Sequence, residues 1–318
     1  MVSFLDVNPS DRVDLNVQVG TLRFANPIIA ASGTFGYGLE FAHLMDLNRL
    51  GGMVTKGLSL HPIEGAPAPR LCETPSGMLN AVGLENVGVD AFVKEKLPLL
   101  RKYNTHLIAN VFGYCLEEYV QGIERLEDAE GLSAYELNIS CPNVKKGGMQ
   151  FGSDPALVEE VVREAKKAAR KRPLWVKLMP LVTDIGLIGK AAELAGADAL
   201  TVANTFPAMA IEFRSQRSRL GNLTGGLSGP AIKPITLRLV WEVSKAVKIP
   251  VLGLGGVENV ADVLDYVSVG ATAVQVGTAS FSDPKASEEI IGGLAAGLSG
   301  VNCFNFKELT GRFSKENS

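Results

Sequence analysis

Short apolar runs rich in Val, Ile and Leu alternate along the chain with longer segments whose apolar positions recur with helical period. Runs of this kind are typical of parallel strands buried on both faces. They cover residues 26–32, 51–57, 105–111, 134–140, 173–179, 197–205, 249–256 and 271–279. Helical patterns lie between most of them, most clearly at 154–172, which opens with Asp-Pro, and at 231–247. Strands alternating with helices in this way predict an α/β fold, a (β/α)8 TIM barrel.

The segment before the first of these runs has a different period. Residues 14–24, DLNVQVGTLRF, alternate between apolar and polar positions as a β-hairpin does. We expect a short N-terminal β-hairpin here, capping the bottom of the barrel. No low-complexity tract and no linker rich in Pro, Gly or Ser follows, so we predict a single barrel domain over residues 1–318.

The composition favours a globular enzyme over a protein that binds polyanions. The 318 residues are 46% hydrophobic and 20% charged, and 31 basic against 34 acidic residues give a net charge of −3. We therefore expect no nucleic-acid partner. The N-terminus lacks the pattern of a signal peptide, and no run of about 18 apolar residues occurs, so we expect a cytoplasmic protein with no membrane partner.

The cysteines and histidines are too scattered to form a metal centre in this chain. The four cysteines, Cys72, Cys115, Cys141 and Cys303, include no CxxC pair, and the three histidines have no ligand-like spacing. We predict neither a disulfide framework nor a zinc or iron–sulfur site.

Polar side chains recur where the predicted strands end. They are Lys56, Asn110, Asn138, Lys177 and Asn204. In a (β/α)8 barrel, functional groups lie at the C-terminal ends of the strands. One asparagine in such a place is equally well explained as a satisfied turn residue, but the set together predicts one ligand pocket.

The last two strands end in glycine-rich turns instead. GLGG at 253–256 and VGT at 276–278 expose backbone N–H groups next to helix starts, which is how such barrels bind phosphate. The sequence therefore predicts a ligand with a phosphate at one end and a polar ring over the mouth of the barrel.

Cys141 opens the loop after the fourth strand, three residues beyond Asn138. A thiolate in that position can act as a nucleophile or as a general base. The alternative is a buried, inert cysteine, an interpretation that suits Cys72, Cys115 and Cys303 better.

Four motifs resemble the class 1 dihydroorotate dehydrogenases, and in particular the class 1B catalytic (FMN) subunit. They are NISCPNVKKGG (138–148), TKGLSL (55–60), MLNAVGLENVG (78–88) and NLTGGLSGPAIKP (222–234), and the likeness covers roughly residues 10 to 285. Class 2 relatives carry serine where Cys141 stands and have an N-terminal membrane-associating extension. The class 1A enzymes share the cysteine, so the choice of 1B rests on VKKGG and TGGLSGPAIKP.

The resemblance implies an FMN enzyme that oxidises (S)-dihydroorotate to orotate in de novo pyrimidine (UMP) biosynthesis. The residues that it implies for FMN binding are Ser32, Lys56, Gly57, Asn110, Asn138, Lys177, Ala203, Gly229, Gly255, Gly256, Gly277 and Thr278. Those implied for the pyrimidine are Lys56, Asn80, Ala81, Val82, Gly83, Leu84, Asn138, Asn143, Asn204 and Thr205. Lys177 is expected beside the N1/C2 edge of the flavin, where negative charge accumulates on reduction.

The same resemblance implies the route of protons and electrons. Cys141 would remove the proton from C5 of dihydroorotate while a hydride passes from C6 to flavin N5. Electrons would then pass to NAD through a partner subunit that carries FAD and a [2Fe-2S] cluster, in a heterotetramer built on a homodimer of this chain. The C-terminal tail departs from the family pattern and is given no role.

Four other functions fit parts of the sequence. A class 1A enzyme would pass electrons to fumarate, and a tRNA dihydrouridine synthase would also use a loop cysteine but should show a basic surface. In a barrel similar to IMP dehydrogenase the cysteine would be a covalent nucleophile, but the strand-end lysines favour a flavin. A barrel that only binds a phosphate ligand would leave Cys141 unexplained.

Overall fold

A computed structural model describes residues 13–140, 142–143 and 149–313 of the chain. Its strands are β1 (Val17–Val19), β2 (Leu22–Phe24), β3 (Ile28–Ala30), β4 (Gly52–Val54), β5 (Leu71–Thr74), β6 (Gly77–Asn80), β7 (His106–Val111), β8 (Ala134–Asn138), β9 (Pro142–Asn143), β10 (Met149–Gln150), β11 (Leu174–Lys177), β12 (Ala199–Val202), β13 (Phe206–Ala208), β14 (Ile211–Glu212), β15 (Arg217–Ser218), β16 (Gly225–Ser228), β17 (Val251–Leu254) and β18 (Ala273–Val276).

Eight of these strands close into a parallel barrel. The order around the ring is β3, β4, β7, β8, β11, β12, β17 and β18, with β18 pairing back to β3. Each barrel strand lies within one of the apolar runs read from the sequence, so the predicted (β/α)8 fold is confirmed. The observed strands are shorter than those runs, and Lys56 and Asn204 each lie two residues beyond the end of their strand.

Helices follow most of the barrel strands. They are α1 (Gly88–Ala91), α2 (Leu97–Leu100), α3 (Leu116–Glu127), α4 (Pro155–Ala168), α5 (Ile185–Leu194), α6 (Lys233–Ala246), α7 (Val260–Ser268), α8 (Ala279–Ser282) and α9 (Ala286–Gly300). A π-helical turn, Phe92–Lys96, joins α1 to α2. The helices predicted at 154–172 and 231–247 are present as α4 and α6, and the Asp154 carboxylate caps α4 by accepting from the backbone N–H groups of Ala156 and Leu157. No helix in the described part is long and apolar enough to cross a bilayer.

The predicted N-terminal hairpin is present and closes the barrel at the end where the strands begin. β1 and β2 pair antiparallel, with Val19 opposite Leu22. Phe24, at the end of β2, is fully buried, and its ring centroid lies 4.5 Å from that of His106 and 6.1 Å from that of Trp175. Because His106 is the first residue of β7, this contact is at the bottom of the barrel.

A second sheet, which was not predicted from the sequence, stands over the opposite end of the barrel. Its antiparallel order is β13, β16, β6 and β5, formed within the loops that follow β4 and β12. Asn80 of β6 is paired with Gly226 of β16. A small apolar cluster made of Cys72, Leu79, Ala81 and Leu220 packs on this sheet, which therefore forms a wall beside the barrel mouth.

Candidate active site

A cavity of about 350 Å³ lies at the mouth of the barrel, between the C-terminal ends of the strands and the second sheet. All of the residues predicted for FMN contact its wall: Ser32, Lys56, Gly57, Asn110, Asn138, Lys177, Ala203, Gly229, Gly255, Gly256, Gly277 and Thr278. Most of the residues predicted for the pyrimidine do so as well: Asn80, Ala81, Val82, Gly83, Leu84, Asn204 and Thr205, together with Lys56 and Asn138. The structure thus brings both sets together.

Two residues of the prediction are not placed in this way. Cys141 lies outside the described residues, and the side chain of Asn143 is not described either. The backbone of Asn143 belongs to β9, which pairs antiparallel with β10. Ser140, which directly precedes Cys141 in the sequence, accepts a hydrogen bond at its Oγ from Asn204 Nδ2 at 2.9 Å, and Asn204 lines the cavity.

Lys177 is the most buried cation of the cavity wall. It ends β11, the residue is 6% exposed, and its Nζ donates to Ser32 Oγ at 3.1 Å. Burial lowers the pKa of Lys177 from its ordinary value, because removing the ammonium from water disfavours the charged form, while the carboxylate of Glu136 opposes this lowering. Lys177 is therefore suited to a ligand edge that carries or develops negative charge.

The asparagines of the wall are held by specific partners. Asn138 Oδ1 accepts from Asn204 Nδ2 at 3.1 Å and from the backbone N–H of Ser140 at 3.3 Å. Asn80 Nδ2 donates to the carbonyl of Gly226 at 3.1 Å across the second sheet. These hydrogen bonds fix the amide orientations, so the wall presents donors and acceptors in a set pattern to a flat polar ring.

The glycine-rich turns after β17 and β18 form the end of the cavity predicted to bind phosphate. Gly255 and Gly256 have φ of 138° and 67°, and a Cβ on Gly256 would lie 2.8 Å from the carbonyl oxygen of Gly229. The Tyr266 hydroxyl donates to the carbonyl of Gly255 at 2.6 Å, which holds the turn. Burial raises the pKa of Tyr266, so this hydroxyl keeps its proton.

Gly277 differs from those two glycines, because the protein itself leaves room for a side chain there. A Cβ on Gly277 would have Ala31 Cβ as its nearest neighbour, at 3.6 Å, an ordinary van der Waals contact. Gly277 also lines the cavity, and the neighbouring Thr278 donates from Oγ1 to Ser228 Oγ at 2.8 Å. The missing side chain therefore keeps space open for a ligand.

Two carboxylates near this site, those of Glu136 and Glu85, were not identified as site residues from the sequence. Inside the barrel, Glu136 accepts hydrogen bonds from Asn110, Thr201 and Gln275. At the rim, Glu85 lies 3.6 Å from the ammonium of Lys56 and also pairs with Arg70. The period-2 alternation of a strand could have revealed Glu136, because it precedes Asn138 by two residues and so points to the same side.

Comparison with known proteins agrees with this geometry. The family model described as dihydroorotate dehydrogenase matches residues 14–298. A protein of Citrifermentans bemidjiense is 55% identical over 279 residues, which are 88% of this chain and 91% of that protein. Proteins of Trichlorobacter lovleyi and Thermodesulfovibrio yellowstonii are 52% and 49% identical, covering 93% and 95% of this chain and 97% and 99% of their own lengths. All three relatives carry the name dihydroorotate dehydrogenase B (NAD(+)), catalytic subunit.

Proposed function

Because the chain belongs to the dihydroorotate dehydrogenase family, we propose that it is the catalytic subunit of a class 1B, NAD-linked enzyme. It oxidises (S)-dihydroorotate to orotate in pyrimidine biosynthesis. The observation that carries the proposal is the single cavity in which Lys177, the strand-end asparagines and the glycine turns meet. The names of its relatives favour class 1B over the fumarate-linked class 1A and over a tRNA dihydrouridine synthase.

The cavity fits FMN by its chemistry. Lys177 has a buried ammonium with three protons, and within the described part Ser32 is its hydrogen-bond acceptor. Gly277 leaves space beside the turns that suit a phosphate. FMN would be held by the FMN set named above, and when bound it would supply a ring system that accepts a hydride.

The pyrimidine is proposed to lie between the barrel mouth and the second sheet. Asn80, Asn138 and Asn204 offer amide donors and acceptors to a ring of alternating N–H and carbonyl groups. Lys56, 24% exposed at its side chain, is suited to the substrate carboxylate. The loop from Ala81 to Leu84 and Thr205 line the same cavity. Asn143 completes the proposed set.

Cys141 is proposed as the base that takes the proton from C5. The hydrogen bond between Asn204 and Ser140 supports this, because Ser140 directly precedes Cys141 in the sequence and Asn204 belongs to the proposed pyrimidine site. A thiolate at that point removes a proton while the strand-end side chains hold the substrate ring in place.

The relatives are named as catalytic subunits, which implies a partner subunit. We propose that the partner carries FAD and a [2Fe-2S] cluster, passes electrons to NAD, and binds a homodimer of this chain in a heterotetramer. A cytoplasmic location is part of the same proposal.

The proposal is tested on the purified chain and on the chain co-purified with its partner. Denaturation should release a flavin of FMN mass, and the chain alone should pass electrons from dihydroorotate to artificial dyes but not to NAD. The associated partner should restore NAD reduction. Release of FAD would contradict the cofactor assignment, and efficient turnover with fumarate without a partner would place the chain in class 1A.

A further inference from the structure

A carboxylate inside the barrel, below the cavity, has no part in the function proposed above. Glu136 lies in the middle of β8 and is fully buried. Its Oε1 accepts from Asn110 Nδ2 at 2.8 Å, and its Oε2 accepts from Thr201 Oγ1 and from Gln275 Nε2, both at 2.7 Å. A buried charge is costly unless it is paired and hydrogen-bonded, so its presence needs a reason.

The three neighbours of Glu136 all present hydrogen-bond donors to it. Asn110, Thr201 and Gln275 each donate to one of the two carboxylate oxygens. Gln275 Nε2 also donates to Thr201 Oγ1 at 3.2 Å, which leaves the hydroxyl proton of Thr201 directed at Glu136. The interior of the barrel therefore holds a carboxylate with its oxygens fixed in place, and this group raises the pKa of Lys177.

This charge acts on Lys177, the buried cation of the neighbouring strand. Asn138 of β8 is paired with Lys177 of β11, and Glu136 lies one pleat below on the same inward face. Burial lowers the pKa of Lys177, and Glu136 is the charged group that counteracts the effect. Lys56 and Glu85 lie at the rim, and Ser32, the hydrogen-bond partner of Lys177, is neutral.

Glu136 also sets the orientation of Asn110. Because Asn110 Nδ2 donates to Glu136, Oδ1 faces the other way, and a Cβ on Gly57 would lie 3.2 Å from that oxygen. Both Asn110 and Gly57 line the cavity. The carboxylate thus orients the Asn110 amide so that its oxygen, an acceptor, faces the ligand instead of its N–H donors.

We propose that Glu136 is a positioning residue of the cofactor site, which keeps Lys177 cationic and turns the oxygen of Asn110 toward the bound ring. This inference rests on the proposed function, since it takes FMN as the ligand. Glu136 touches neither cofactor nor substrate and acts through the two side chains that do.

The test is the dissociation constant of FMN as a function of pH, measured from flavin fluorescence for the wild type and for three variants. Glu136→Gln removes the charge but can keep the hydrogen bonds. Gln275 Oε1 has no partner within the described residues, so the Gln275 amide can rotate and accept a hydrogen bond from the new amide at position 136. Lys177→Met identifies the step in the profile that belongs to Lys177. Thr201→Val removes one hydrogen bond to Glu136 and keeps its charge.

In the wild type, FMN affinity should weaken as the pH rises through the pKa of Lys177, because the ammonium is lost. In Glu136→Gln that step should move to lower pH by about one unit or more, since the opposing charge is gone. In Thr201→Val it should stay in place, and in Lys177→Met it should be absent. If Glu136→Gln does not fold, Glu136→Asp should shift the step in the same direction by less, because the charge is kept but withdrawn by one methylene.

If the step does not move in folded Glu136→Gln, the inference is wrong and the proposed function is unaffected. The same conclusion applies to folded Glu136→Asp where that variant is the one tested. A wild type that binds no FMN at any pH would instead contradict the proposed function itself. Whether the wild type binds FMN therefore shows which of the two proposals, the role of Glu136 or the proposed function, has failed.

Discussion

Lys177 is the residue through which the barrel is proposed to influence the redox properties of its cofactor. Lys177 is 6% exposed and lines the cavity. Lys177→Met removes the cation that is proposed to stabilise the negative charge on the reduced ring. We expect the midpoint potential of bound FMN to fall by about 20–60 mV, equivalent to roughly 1–3 kcal/mol over two electrons.

A redox titration of the purified variant measures this shift. Lys190→Met is the control, because it removes a lysine that pairs with Glu193 on α5, away from the cavity wall. An equal or higher potential in Lys177→Met would show that Lys177 does not stabilise the reduced cofactor.

Cys141 carries the proposed proton transfer, and its role stays a prediction because it lies outside the described residues. Cys141→Ser should retain FMN but slow the reduction of the flavin by dihydroorotate by about 10²-fold or more, since a hydroxyl is much harder to deprotonate than a thiol. The wild-type rate should rise with pH as the thiolate forms. Stopped-flow absorbance measures both, with Cys115→Ser as control, and an unchanged rate in Cys141→Ser would contradict the assignment.

At the residue scale, the sequence was informative where a polar side chain followed an apolar run. Lys177 and Asn138 stand out in this way, because a buried strand end is an expensive place for an unpaired polar group. Glu136, Thr201 and Gln275 lie within strands and were missed. Strand alternation places Glu136 on the inward face, but its hydrogen bonds with Thr201 and Gln275 form across the barrel between distant segments, so no local pattern predicts them.

At the scale of elements, the turn after β18 is expected to leave space for the ligand at Gly277, and a substitution there tests this. Gly277→Ala should fit the protein, because its Cβ would be 3.6 Å from the nearest neighbour, but should intrude on the proposed phosphate site. We expect FMN affinity to fall about tenfold or more with little change in the unfolding midpoint of the flavin-free protein.

Gly300→Ala at the end of α9 is the matched control for this substitution, because nothing lies within 4 Å of the added methyl. Fluorescence titration and chemical unfolding measure the two quantities. A loss of stability without a loss of affinity in Gly277→Ala would show that Gly277 serves the fold rather than a ligand.

The N-terminal hairpin should contribute to stability by closing the bottom of the barrel. Phe24→Ala removes a fully buried ring that contacts His106 and Trp175, and should cost about 3–5 kcal/mol of unfolding free energy. Gln18→Ala, on the exposed side of β1, should change it by less than about 0.5 kcal/mol. Equal unfolding midpoints in denaturant for the two variants would contradict this role of the hairpin.

The barrel strands, which were predicted from the sequence, differ in composition and in pairing from the strands of the second sheet, which were not. The barrel strands are buried on both faces and mostly apolar, so their composition identified them. The strands of the second sheet are short and include GMLN at β6 and GGLS at β16. β6 and β16 pair across a large separation in sequence, as Asn80 and Gly226 do, whereas β5 and β6 form a local hairpin in which Thr74 pairs with Gly77.

At the scale of the whole molecule, the account rests on one cavity in one barrel. The single-domain boundary of 1–318 stays a prediction, while the family match covers residues 14–298. A barrel whose catalytic groups all come from its own strand ends and loops should complete the oxidation of its substrate alone, and should need its partner for the transfer of electrons to NAD.

The most direct measurement is an anaerobic titration of the purified chain with (S)-dihydroorotate, followed by the absorbance of its flavin near 450 nm. We predict that the absorbance bleaches with about one equivalent of substrate per flavin and that an equal amount of orotate forms. A flavin that dithionite reduces but dihydroorotate leaves oxidised would contradict the claim that this cavity is a dihydroorotate dehydrogenase active site.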